Sequence, residues 1–488
     1  MRWLTLIKSV PGATAVPGML DFPVTGVSCD SRRVGPGFVF VAVKGIRSDG
    51  GAYIAEAVSR GARAVIAGPG ARPVPGLENF VRVRDARAVL PRLAAEFYGR
   101  PAGAIKMTGV TGTNGKTTVT YLIEAILRAQ GCVPGVIGTV NYRFKGTVIP
   151  AVNTTPGPVE LQEILARMRA GGVDNCVMEV SSHALDQGRA CGISFSSAVF
   201  TNLTRDHLDY HKTFGAYFAA KKKLFTGLKR PAFAVINRDD PFGRRLAGSC
   251  PVRVISYSVK GDADITCSEI DTELSGTSLV VRGPTGSFRL TTRLIGIHNI
   301  YNLLAAAGWA LGEGIAPEVI ARAVSRFRPV PGRMERVEYG HGVNVFVDYA
   351  HTDDALKNVI TALRRLTDSR IFVVFGCGGE RDKGKRPRMG RVVSELADYA
   401  VVTSDNPRSE DPMEIIRDIT RGMKGSRYRV IPDRRAAIAG ALAGARAAGA
   451  GSVVLIAGKG HEDYQVLKDT TIHFDDREAV RACSRLKK

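Results

Sequence analysis

Short runs of apolar residues alternate with amphipathic segments of helical period along most of the chain. Residues 39–43 have the unbroken apolar pattern of a buried strand, and residues 52–59 and 86–98 have the spacing of helices. The same strand-then-helix order repeats from residue 104 to about 328, and again from about 334 to 488. This alternation predicts an α/β fold with parallel sheets of the doubly wound type.

Two breaks rich in proline, glycine and arginine interrupt this pattern, at residues 98–103 and 328–333. A chain of 488 residues is long enough for about three domains. We therefore predict a smaller α/β domain over residues 1–98, a central domain with a doubly wound parallel sheet over residues 99–330, and a Rossmann-like domain over residues 331–488.

Polar residues follow directly after several of the predicted strands. A single histidine or aspartate there is most often a helix cap or a turn residue, but six such endings are hard to explain that way. Ligands bind at the carboxyl ends of strands in open α/β sheets, so we expect the chemistry at one edge of each sheet, with two edges facing each other across the 328–334 linker. The six segments are Glu179–His183, Thr201–Asp209, Asp348–His351, Gly376–Arg381, Ser404–Arg408 and Gly458–Glu462.

The segment Thr108–Thr118 contains a glycine-rich loop between a predicted strand, residues 104–107, and a predicted helix. Backbone N–H groups of such a loop and the N-terminus of the following helix bind phosphates. Lys116 would reach the terminal phosphates of ATP, and the hydroxyl of Thr117 would hold Mg²⁺. A chance Gly-Lys-Thr in a surface loop is the alternative, and Val110 stands where the general phosphate-loop pattern has glycine.

The net charge of +22 comes mostly from arginines spread along the chain, apart from Lys221–Lys223 and residues 381–391. Such a charge is compatible with nucleic acid, a membrane surface, polyanionic small substrates, or a solvated surface without a specific partner. Aromatic residues make up only 7% of the chain and do not cluster with the basic segments. This distribution disfavours a nucleic-acid-binding ATPase, which would need stacking aromatics along a basic stripe.

Other features of the composition lead us to expect a cytoplasmic protein. There is no run of ~18 apolar residues, so no membrane span is expected. The N-terminal apolar stretch is too short, and too soon interrupted by Lys8 and Pro11, to be a secretory signal. The eight cysteines include no Cys-x-x-Cys pair, so we expect neither a zinc site nor a disulfide framework.

Five segments together resemble the successive signatures of the Mur ligases, a family of ATP-dependent enzymes that add amino acids to peptidoglycan precursors. The match covers all three predicted domains in order, and the loop of this family has the form found around Val110. The resemblance implies ATP and Mg²⁺ as cofactors and small-molecule substrates, without nucleic acid, and we expect a monomer. The segments are Thr111–Thr118, Glu179–His183, Gly296–Asn302, Gly332–Arg333 and Asp348–His351.

Two further segments, Asn153–Pro156 and Asp405–Arg408, resemble the family members that join a diamino acid to UDP-N-acetylmuramoyl-L-alanyl-D-glutamate. The arginine of the second segment is typical of the members specific for meso-diaminopimelate, whereas lysine-adding members differ there. Diaminopimelate has one carboxylate more than lysine, and a guanidinium binds a carboxylate through two parallel hydrogen bonds. A turn with an exposed arginine is the alternative.

The family reaction activates the side-chain carboxylate of D-glutamate as an acyl phosphate, which the amine of the incoming amino acid attacks. The resemblance implies a closure step, because the acyl phosphate must be kept from water. Arg333 and Asp348 would come from the third domain to the nucleotide. ATP would be bound by Gly112, Thr113, Asn114, Gly115, Lys116, Thr117, Thr118, Asn299, Asn302 and Arg333, with the two asparagines on the adenine side.

The resemblance also implies metal ligands at Thr117, Glu179 and His207, the last as a ligand or neighbour of a second Mg²⁺. Lys221 matches a lysine that the family carries in carbamylated form, whose added carboxylate turns a cation into a metal ligand. From chemistry alone, three consecutive lysines are more often a solvated face. The helical register favours Lys221, and its two lysine neighbours remain alternatives.

The substrate contacts follow from the same resemblance. Ser31 would lie on the uridine side, with residues 45–48 nearby, while Glu462 would bind the distal ammonium of diaminopimelate and Arg408 the neighbouring carboxylate. His351 is one candidate for accepting the proton of the attacking amine, and a structural histidine is the alternative. The UDP-linked substrate would contact Ser31, Asn153, Thr154, Thr155, Ser181, Gln187 and Arg189, and diaminopimelate would contact Arg381, Asp405, Asn406, Pro407, Arg408, Gly458 and Glu462.

Three other functions remain alternatives at this point. A lysine-adding Mur ligase and a ligase like folylpolyglutamate synthetase share the ATP loop and the reaction type. A folate enzyme would not be expected to show the Ser31 motif or Asp405–Arg408. A nucleic-acid-binding P-loop ATPase is the alternative from a different class, and stimulation of ATP turnover by DNA or RNA would reveal it.

Overall fold

The computed structural model describes residues 1–10, 13, 18–45 and 48–485, and it has the predicted α/β fold. Within these residues, no helix is long and apolar enough to cross a membrane. The strands are β1 (Gly26–Ser28), β2 (Phe38–Ala42), β3 (Ala62–Ala67), β4 (Asn79–Arg82), β5 (Lys106–Thr111), β6 (Pro134–Ile137), β7 (Asn141–Phe144), β8 (Thr147–Pro150), β9 (Asn175–Glu179), β10 (Phe195–Phe200), β11 (Phe233–Asn237), β12 (Arg253–Tyr257), β13 (Thr266–Glu273), β14 (Gly276–Gly283), β15 (Gly286–Thr292), β16 (Glu335–Val337), β17 (Asn344–Asp348), β18 (Ile371–Phe375), β19 (Tyr399–Val402), β20 (Tyr428–Val430), β21 (Val453–Ala457), β22 (Tyr464–Leu467) and β23 (Thr470–His473). The helices are α1 (Trp3–Ile7), α2 (Ile54–Ser59), α3 (Ala86–Phe97), α4 (Lys116–Ala129), α5 (Pro158–Ala170), α6 (Ser182–Asp186), α7 (Leu208–His211), α8 (Phe214–Thr226), α9 (Pro241–Ala247), α10 (Ile297–Gly312), α11 (Pro317–Ser325), α12 (Asp353–Arg364), α13 (Arg386–Leu396), α14 (Pro412–Thr420), α15 (Arg434–Ala448) and α16 (Asp476–Arg485).

The chain forms two compact units, called unit 1 and unit 2 below. Unit 2 contains the glycine-rich loop, α4 and everything from β12 onwards. Unit 1 consists of Met1–Thr111, Gly131–Ala198 and Ala220–Phe233, and unit 2 consists of Gly112–Gln130, Val199–Ala219 and Ala234–Lys488.

The N-terminal part of unit 1 is a parallel sheet with the strand order β1-β2-β3-β4. Alternate residues of β2 point to opposite faces, as the pleat of a strand requires. Val39 and Val41 pack in one core with Leu90 of α3, whereas Phe40 packs in a second core with Ile54 of α2. The sheet is therefore covered on both faces, which explains why the strand reads as a continuous apolar run.

In the rest of unit 1, strands lie side by side in the order β10-β5-β9-β6-β7-β8. Strands β5, β9 and β6 are parallel, and Val110 at the end of β5 pairs with Glu179 at the end of β9. Strands β7 and β8 continue antiparallel. The register places the carboxyl end of β9, with Glu179, at the edge of the sheet where the glycine-rich strand β5 also ends.

Unit 2 contains a six-stranded sheet in the order β16-β17-β21-β18-β19-β20, parallel except for β16. Phe346 of β17 packs in a core with α12 and α13, while Val345 and Val347 pack in another core with α15 and α16. This is the doubly wound arrangement predicted for the C-terminal domain. Unit 2 also contains the neighbouring strands β11 and β12, the antiparallel sheet β13-β14-β15 and the hairpin β22-β23.

All six strands that were predicted to end in polar residues are present, as β9, β10, β17, β18, β19 and β21. Two predicted boundaries were wrong. Residue 104 lies in a 3₁₀ helix and the strand is Lys106–Thr111, because the β-branched residues of the loop motif extend the pairing with β9. Residues 50–53 form a 3₁₀ turn capped by Asp49, so the helix begins only at Ile54.

Candidate functional site

The glycine-rich loop of unit 2 runs into α4, which begins at Lys116 and buries Thr118 in its first turn. Gly115 has φ +87°, and a Cβ there would lie 2.3 Å from Oδ1 of Asn302, so this position requires glycine. The hydroxyl of Thr201 donates to the carbonyl of Asn114 at 2.6 Å and so fixes the loop. The loop therefore presents backbone N–H groups at a helix N-terminus, the arrangement that binds phosphates.

Two cations lie at this loop. Nζ of Lys116 donates to the carbonyls of Gly112 at 3.0 Å and Thr113 at 2.9 Å. Nη2 of Arg333 donates to Oγ1 of the buried Thr117 at 3.3 Å. The structure thus brings together three residues that the sequence predicted for ATP binding, and it supplies two positive charges for a triphosphate.

Asp348 holds the segment that carries Arg333. Its two carboxylate oxygens accept the N–H of Met334 at 2.6 Å and of Ala350 at 2.7 Å. Burial raises the pKa of this carboxyl, while Arg333 and the two amides act in the opposite direction. These contacts position the segment that carries Arg333, and the approach of Asp348 to the nucleotide stays a prediction.

A second carboxylate acts on the same segment. Oε2 of Glu335 accepts the N–H of Gly332 at 2.7 Å and pairs with Arg477 of α16 at 3.5 Å. The guanidinium of Arg333 in turn lies over the ring of Tyr349, 4.5 Å from its centroid. Sequence reasoning missed these contacts, because Glu335 and Arg477 belong to no motif and the motifs that contain Arg333 and Tyr349 do not indicate that the two side chains meet.

Asn299 and Asn302 lie beside the loop, in the first turns of α10. Both are buried, and Nδ2 of Asn302 donates to Oδ1 of Asn299 at 3.0 Å. Nδ2 of Asn299 donates to the carbonyl of Ile295 at 2.9 Å. The pair therefore braces the start of α10 next to Gly115, close to where the sequence placed the nucleotide.

His351 is half-buried in unit 2 and is neutral near pH 7. Burial, reinforced by Lys385, lowers its pKa to about 4. Its Nδ1 lies 2.8 Å from the carbonyl of Tyr349, which can only accept, so Nδ1 carries the proton and Nε2 is an acceptor. Nearby, Nε2 of His207 lies 3.4 Å from Oδ2 of Asp206. Burial raises the pKa of the Asp206 carboxyl, but the surrounding basic groups outweigh burial and lower it.

Glu179, in unit 1, is buried and held by Thr139, which sequence reasoning missed. Its Oε1 accepts the N–H of Thr139 at 3.0 Å, and its Oε2 accepts the hydroxyl of Thr139 at 2.9 Å. A Cβ at Gly138 would lie 2.5 Å from Oε1, so the turn before Thr139 needs glycine. A carboxylate whose hydrogen-bond donors are neutral has no cation of the protein paired through these contacts, and its oxygens are hard ligands of the kind that Mg²⁺ prefers.

The residues predicted for the muramoyl peptide gather around Glu179. The hydroxyl of Thr154 lies 3.1 Å from that of Thr139, and the hydroxyl of the buried Thr155 donates to the carbonyl of Glu179 at 2.8 Å. The Thr155 hydroxyl also accepts the N–H of Ser181 at 3.0 Å. Two outer contacts complete the group. The carbonyl of Asn153 accepts a hydrogen bond from the Tyr142 hydroxyl at 2.6 Å. The guanidinium of Arg189 donates to Oε1 of Gln187 at 2.7 and 2.9 Å and to the carbonyl of Thr155 at 3.1 Å.

The three consecutive lysines of α8 differ in burial. Lys221 is 1% exposed, Lys222 is half-buried and Lys223 is exposed, with Nζ 3.1 Å from Oδ1 of Asp186. Lys221 is therefore the most buried of the three, and its assignment as the modified lysine stays a prediction.

Ser31 is buried in unit 1, and its hydroxyl donates to Oε2 of Glu56 at 2.8 Å. A cavity of about 320 Å³ opens beside it, next to Asp30 and Arg33. Of residues 45–48, Ile46 and Arg47 lie outside the described residues. The lining of the cavity consists of Thr25, Gly26, Val27, Ser28, Cys29, Asp30, Arg33, Phe38, Tyr98, Gly157, Pro158, Val159, Glu160 and Glu163.

Arg408 lies in unit 2, at the carboxyl end of β19, with φ +54°. Its Nη1 donates to the carbonyl of Gly379 at 2.8 Å and to that of Asn406 at 3.4 Å. A Cβ at Gly378 would lie 3.0 Å from Nη1, so the glycine makes room for the guanidinium. Within the described part of the chain, no carboxylate forms an ion pair with this half-buried arginine, so its charge is available to a ligand.

The remaining residues of this group surround Arg408. Asp405 is buried, and burial raises the pKa of its carboxyl, but Arg434 and Lys459 outweigh burial and lower it. A Cβ at Gly458, which has φ +117°, would lie 2.6 Å from Oδ2 of Asp405. A Cβ at Gly379 would likewise clash with the carbonyl oxygen of Pro407. Arg381 is exposed and lies next to Gly378.

Glu462 completes the group. Its Oε2 accepts Nδ2 of Asn406 at 2.8 Å and Nζ of Lys459 at 3.3 Å. Its Oε1 accepts the hydroxyl of Tyr349 at 3.4 Å. Lys459 belongs to one of the six polar strand endings, but sequence reasoning gave it no role. Its place between two glycines directly after a buried strand was the signal that could have found it.

No cluster of three or more histidine, cysteine, aspartate or glutamate side chains with metal-binding geometry occurs in the described residues. The predicted magnesium residues include one hydroxyl and a modified lysine, which fall outside such a cluster. The oxygen donors of Thr117 and Glu179 fit the preference of Mg²⁺ for hard ligands.

Three family models match the chain in order. They are the Mur ligase family, catalytic domain, over residues 23–98, the Mur ligase middle domain over residues 110–310, and the Mur ligase, glutamate ligase domain, over residues 332–460. The three-domain architecture predicted from the sequence is thus that of the matched family.

Similar proteins extend over nearly the whole chain. A UDP-N-acetylmuramoyl-L-alanyl-D-glutamate–2,6-diaminopimelate ligase of Solibacter usitatus (strain Ellin6076) is 46% identical over 469 residues, which cover 95% of this chain and 94% of that protein. A solved structure of an enzyme of the same name is 35% identical, with a TM-score of 0.67 and 95% of each chain covered. A folylpolyglutamate synthase of Mycobacterium tuberculosis, solved with ADP and AMPPCP, covers 82% of this chain and 95% of its own with a TM-score of 0.66, but at 19% identity it shares the fold alone. The chain therefore belongs to the Mur ligase family.

Proposed function

We propose that this protein is an ATP-dependent ligase that joins meso-2,6-diaminopimelate to UDP-N-acetylmuramoyl-L-alanyl-D-glutamate in the synthesis of peptidoglycan precursors. The observation that carries the proposal is the name shared by the Solibacter relative and the solved structure, at 46% and 35% identity over 95% of the chain. The unneutralised guanidinium of Arg408 supports the choice of amino acid.

The domain limits belong to the proposal. Residues 1–98 bind the UDP part of the substrate, residues 99–330 bind ATP and residues 331–488 bind the amino acid. The family-model matches at 23–98, 110–310 and 332–460 support this division.

ATP binds at the glycine-rich loop. Gly112, Thr113, Asn114, Gly115 and Thr118 form the cradle for the phosphates, Lys116 and Arg333 neutralise the charge that develops on them, and Asn299 and Asn302 lie on the adenine side. Phosphoryl transfer needs mainly positioning and neutralisation of charge. The contacts of Lys116 with the loop carbonyls and of Arg333 with Thr117 support these roles.

Thr117 and Glu179 would hold one Mg²⁺, His207 would be a ligand or neighbour of a second, and Lys221 as its carbamate would supply a further carboxylate ligand. When bound, the metal neutralises phosphate charge. Burial supports the choice of Lys221 over its two neighbours, since it is the one of the three lysines that is withdrawn from solvent. The rigid hold of Thr139 on Glu179 supports the role of this carboxylate.

The UDP-linked substrate contacts the cavity beside Ser31 with its nucleotide end and the group around Thr155 with its peptide end. The second group includes Asn153, Thr154, Ser181, Gln187 and Arg189. Hydroxyls, amides and an arginine are suited to binding peptide carbonyls and the carboxylate of D-glutamate.

Diaminopimelate binds among the loops that follow β18, β19 and β21. Arg408 pairs with its distal carboxylate and Glu462 with its distal ammonium. Asp405, Asn406, Pro407 and Gly458 shape the site, and Arg381 lies at its exposed side. Lysine lacks the distal carboxylate, so its binding would leave Arg408 with an unpaired charge.

The reaction proceeds in two steps. A carboxylate oxygen of D-glutamate bonds to the γ-phosphorus of ATP, the bond from that phosphorus to the bridging oxygen breaks, and ADP leaves. The neutral amine of diaminopimelate then bonds to the acyl carbon, the bond from that carbon to the phosphate oxygen breaks, and inorganic phosphate leaves. Nε2 of the neutral His351 is an available acceptor for the proton that the amine loses.

Incubation of the protein with ATP, Mg²⁺, the UDP-dipeptide and either meso-diaminopimelate or L-lysine tests the proposal. We expect a UDP-tripeptide that contains diaminopimelate, with one ADP and one phosphate released per product, and little product with lysine. Equal incorporation of both amino acids would contradict the specificity. ATP turnover that responds to DNA or RNA but not to the UDP-dipeptide would contradict the function itself.

A further inference from the structure

Lys459 lies directly behind the carboxylate of Glu462. The lysine is fully buried, between Gly458 and Gly460 at the carboxyl end of β21. The three N–H bonds of its ammonium match three acceptors: Oδ1 of Asn406 at 3.4 Å, Oε2 of Glu462 at 3.3 Å and the carbonyl of Tyr464. All three acceptors lie inside the proposed amino-acid site or on its wall.

The neighbouring amide has a defined orientation. Oδ1 of Asn406 accepts the N–H of Val466 at 2.9 Å in addition to the lysine, so Nδ2 must point the other way. Nδ2 donates to Oε2 of Glu462 at 2.8 Å. Two donors therefore hold Oε2, while Oε1 has the more distant Tyr349 hydroxyl at 3.4 Å. Oε1 is the oxygen that remains for a substrate ammonium.

The charges around Glu462 do not all favour its ionised form. Its side chain is only 15% exposed, and burial together with Asp405 raises its pKa, while Lys459 and Asn406 act in the opposite direction. The further groups that face this cluster are the hydroxyls of Tyr349 and Tyr464 and the buried guanidinium of Arg434. Lys459 is the cation in direct contact with the carboxylate.

We propose that Lys459 is a positioning residue for amino-acid selection: it keeps Glu462 ionised, ties down Oε2, and so presents Oε1 to the distal ammonium of the incoming diamino acid. This inference rests on the proposed function. Lys459 itself does not touch the substrate. Replacement of Lys459 acts only through Glu462 and Asn406. Its effect on kcat/KM therefore depends on whether the substrate carries a distal ammonium.

A comparison of two substrates tests this point. Meso-diaminopimelate and 2-aminopimelate share both carboxylates and the attacking amine, but 2-aminopimelate lacks the distal ammonium. In the wild-type protein we expect kcat/KM to favour meso-diaminopimelate. In Lys459→Met this preference should fall by about tenfold or more, because the mispositioned Glu462 then binds the distal ammonium less well, and only meso-diaminopimelate carries that ammonium. The KM for meso-diaminopimelate should rise, and that for ATP should stay unchanged.

Companion variants separate charge from packing. Lys459→Gln keeps a donor without the charge and should also lose the preference, whereas Lys459→Arg keeps the charge and should retain it to within about threefold. The test therefore does not depend on the folding of one variant. Lys424→Met removes an exposed lysine that pairs with Glu395 at 2.9 Å and should leave the preference unchanged.

In Lys459→Gln, the acid limb of the pH profile of 1/KM should move to higher pH, because Glu462 then takes up a proton more readily.

Equal losses of kcat/KM for both substrates in the Met and Gln variants, or no loss at all, would overturn the proposal and leave Lys459 a structural residue. Failure of the proposed function would give a different result, because the wild-type protein would then form no product with meso-diaminopimelate.

Discussion

Two arginines at the carboxyl edge of the six-stranded sheet have opposite surroundings. Arg386 is 1% exposed, and its guanidinium pairs with Glu410 at 2.9 Å and with Asp418 at 3.0 Å. Arg408 is half-buried and donates to two backbone carbonyls, at 2.8 and 3.4 Å. The charge of Arg386 is neutralised within the protein, whereas that of Arg408 has no carboxylate partner among the described residues. We infer from this difference that Arg386 stabilises the fold, whereas Arg408 belongs to the proposed binding site.

The same distinction applies to carboxylates. Asp476 forms a fully buried ion pair with Arg434 at 2.8 Å, so its charge is matched within the fold. Glu462 has one oxygen held by Lys459 and Asn406 and the other oriented by a single hydroxyl. In both comparisons, the residue of the proposed site is the half-buried one, which has a charge or an oxygen left for a ligand.

Among the variants considered, replacement of Arg386 should have the largest effect on the free energy of unfolding. Arg386→Met removes the buried guanidinium that donates to Glu410 and Asp418, while Lys383 and Arg421 still pair with them from the surface. The free energy of unfolding should therefore fall by about 3 kcal/mol, because several hydrogen bonds between charged groups are lost. Arg408→Met should change it by less than about 1 kcal/mol, since the described residues include no carboxylate paired with it. Urea unfolding of both variants provides the measurement. Equal destabilisation would mean that the two arginines do not differ as described.

Two histidines, His298 and His351, make the stability of the protein depend on pH. Burial lowers the pKa of His298 and of His351 to about 4, so both are neutral in the folded protein near pH 7. Because the unfolded chain takes up these protons first, stability is lost as pH falls from about 6.5 towards 4. Between pH 8 and 5 each histidine should contribute a loss of about 2 kcal/mol in the free energy of unfolding.

His298→Gln should remove one of these two contributions and flatten the fall of stability with pH. Urea unfolding at pH 8, 6.5 and 5 measures it. An unchanged slope in the variant would show that His298 is not kept neutral by burial.

The smallest effect is expected at an exposed pair. Arg417 and Glu414 form an ion pair on α14 with about 60% of each side chain exposed. Arg417→Ala should lower the free energy of unfolding by less than about 1 kcal/mol and leave activity unchanged, because solvent screens such pairs. A loss comparable with that of Arg386→Met would show that burial is not what makes the Arg386 cluster strong.

Much of the fold and of the nucleotide site could be predicted from the sequence, because the signals are local. The continuous apolar runs of β17, β18 and β21 and the loop from Gly112 to Thr118 are each contained in a few consecutive residues. The family and the α/β fold predicted from them are confirmed. The strand before the loop was placed too early, because β-branched residues of the motif itself belong to it.

The supporting residues could not be predicted, because their partners are distant along the chain. Thr139 and Glu179 are 40 residues apart, and Lys459 and Asn406 are 53 apart. The carboxylate of Asp348 accepts two backbone N–H groups that position the segment of Arg333, a role that its motif did not indicate. Motifs identify the residues that chemistry requires, whereas the contacts that orient them depend on the folded structure.

The central claim is that Arg408 selects the amino acid through its distal carboxylate. The most direct test is the ratio of kcat/KM for meso-diaminopimelate to that for L-lysine, in the wild-type protein and in Arg408→Ala. We predict a large ratio in the wild type that falls by about a hundredfold in the variant, because two charge-assisted hydrogen bonds are lost for one substrate alone, with the KM for ATP unchanged. A ratio that is the same in both proteins would contradict the account.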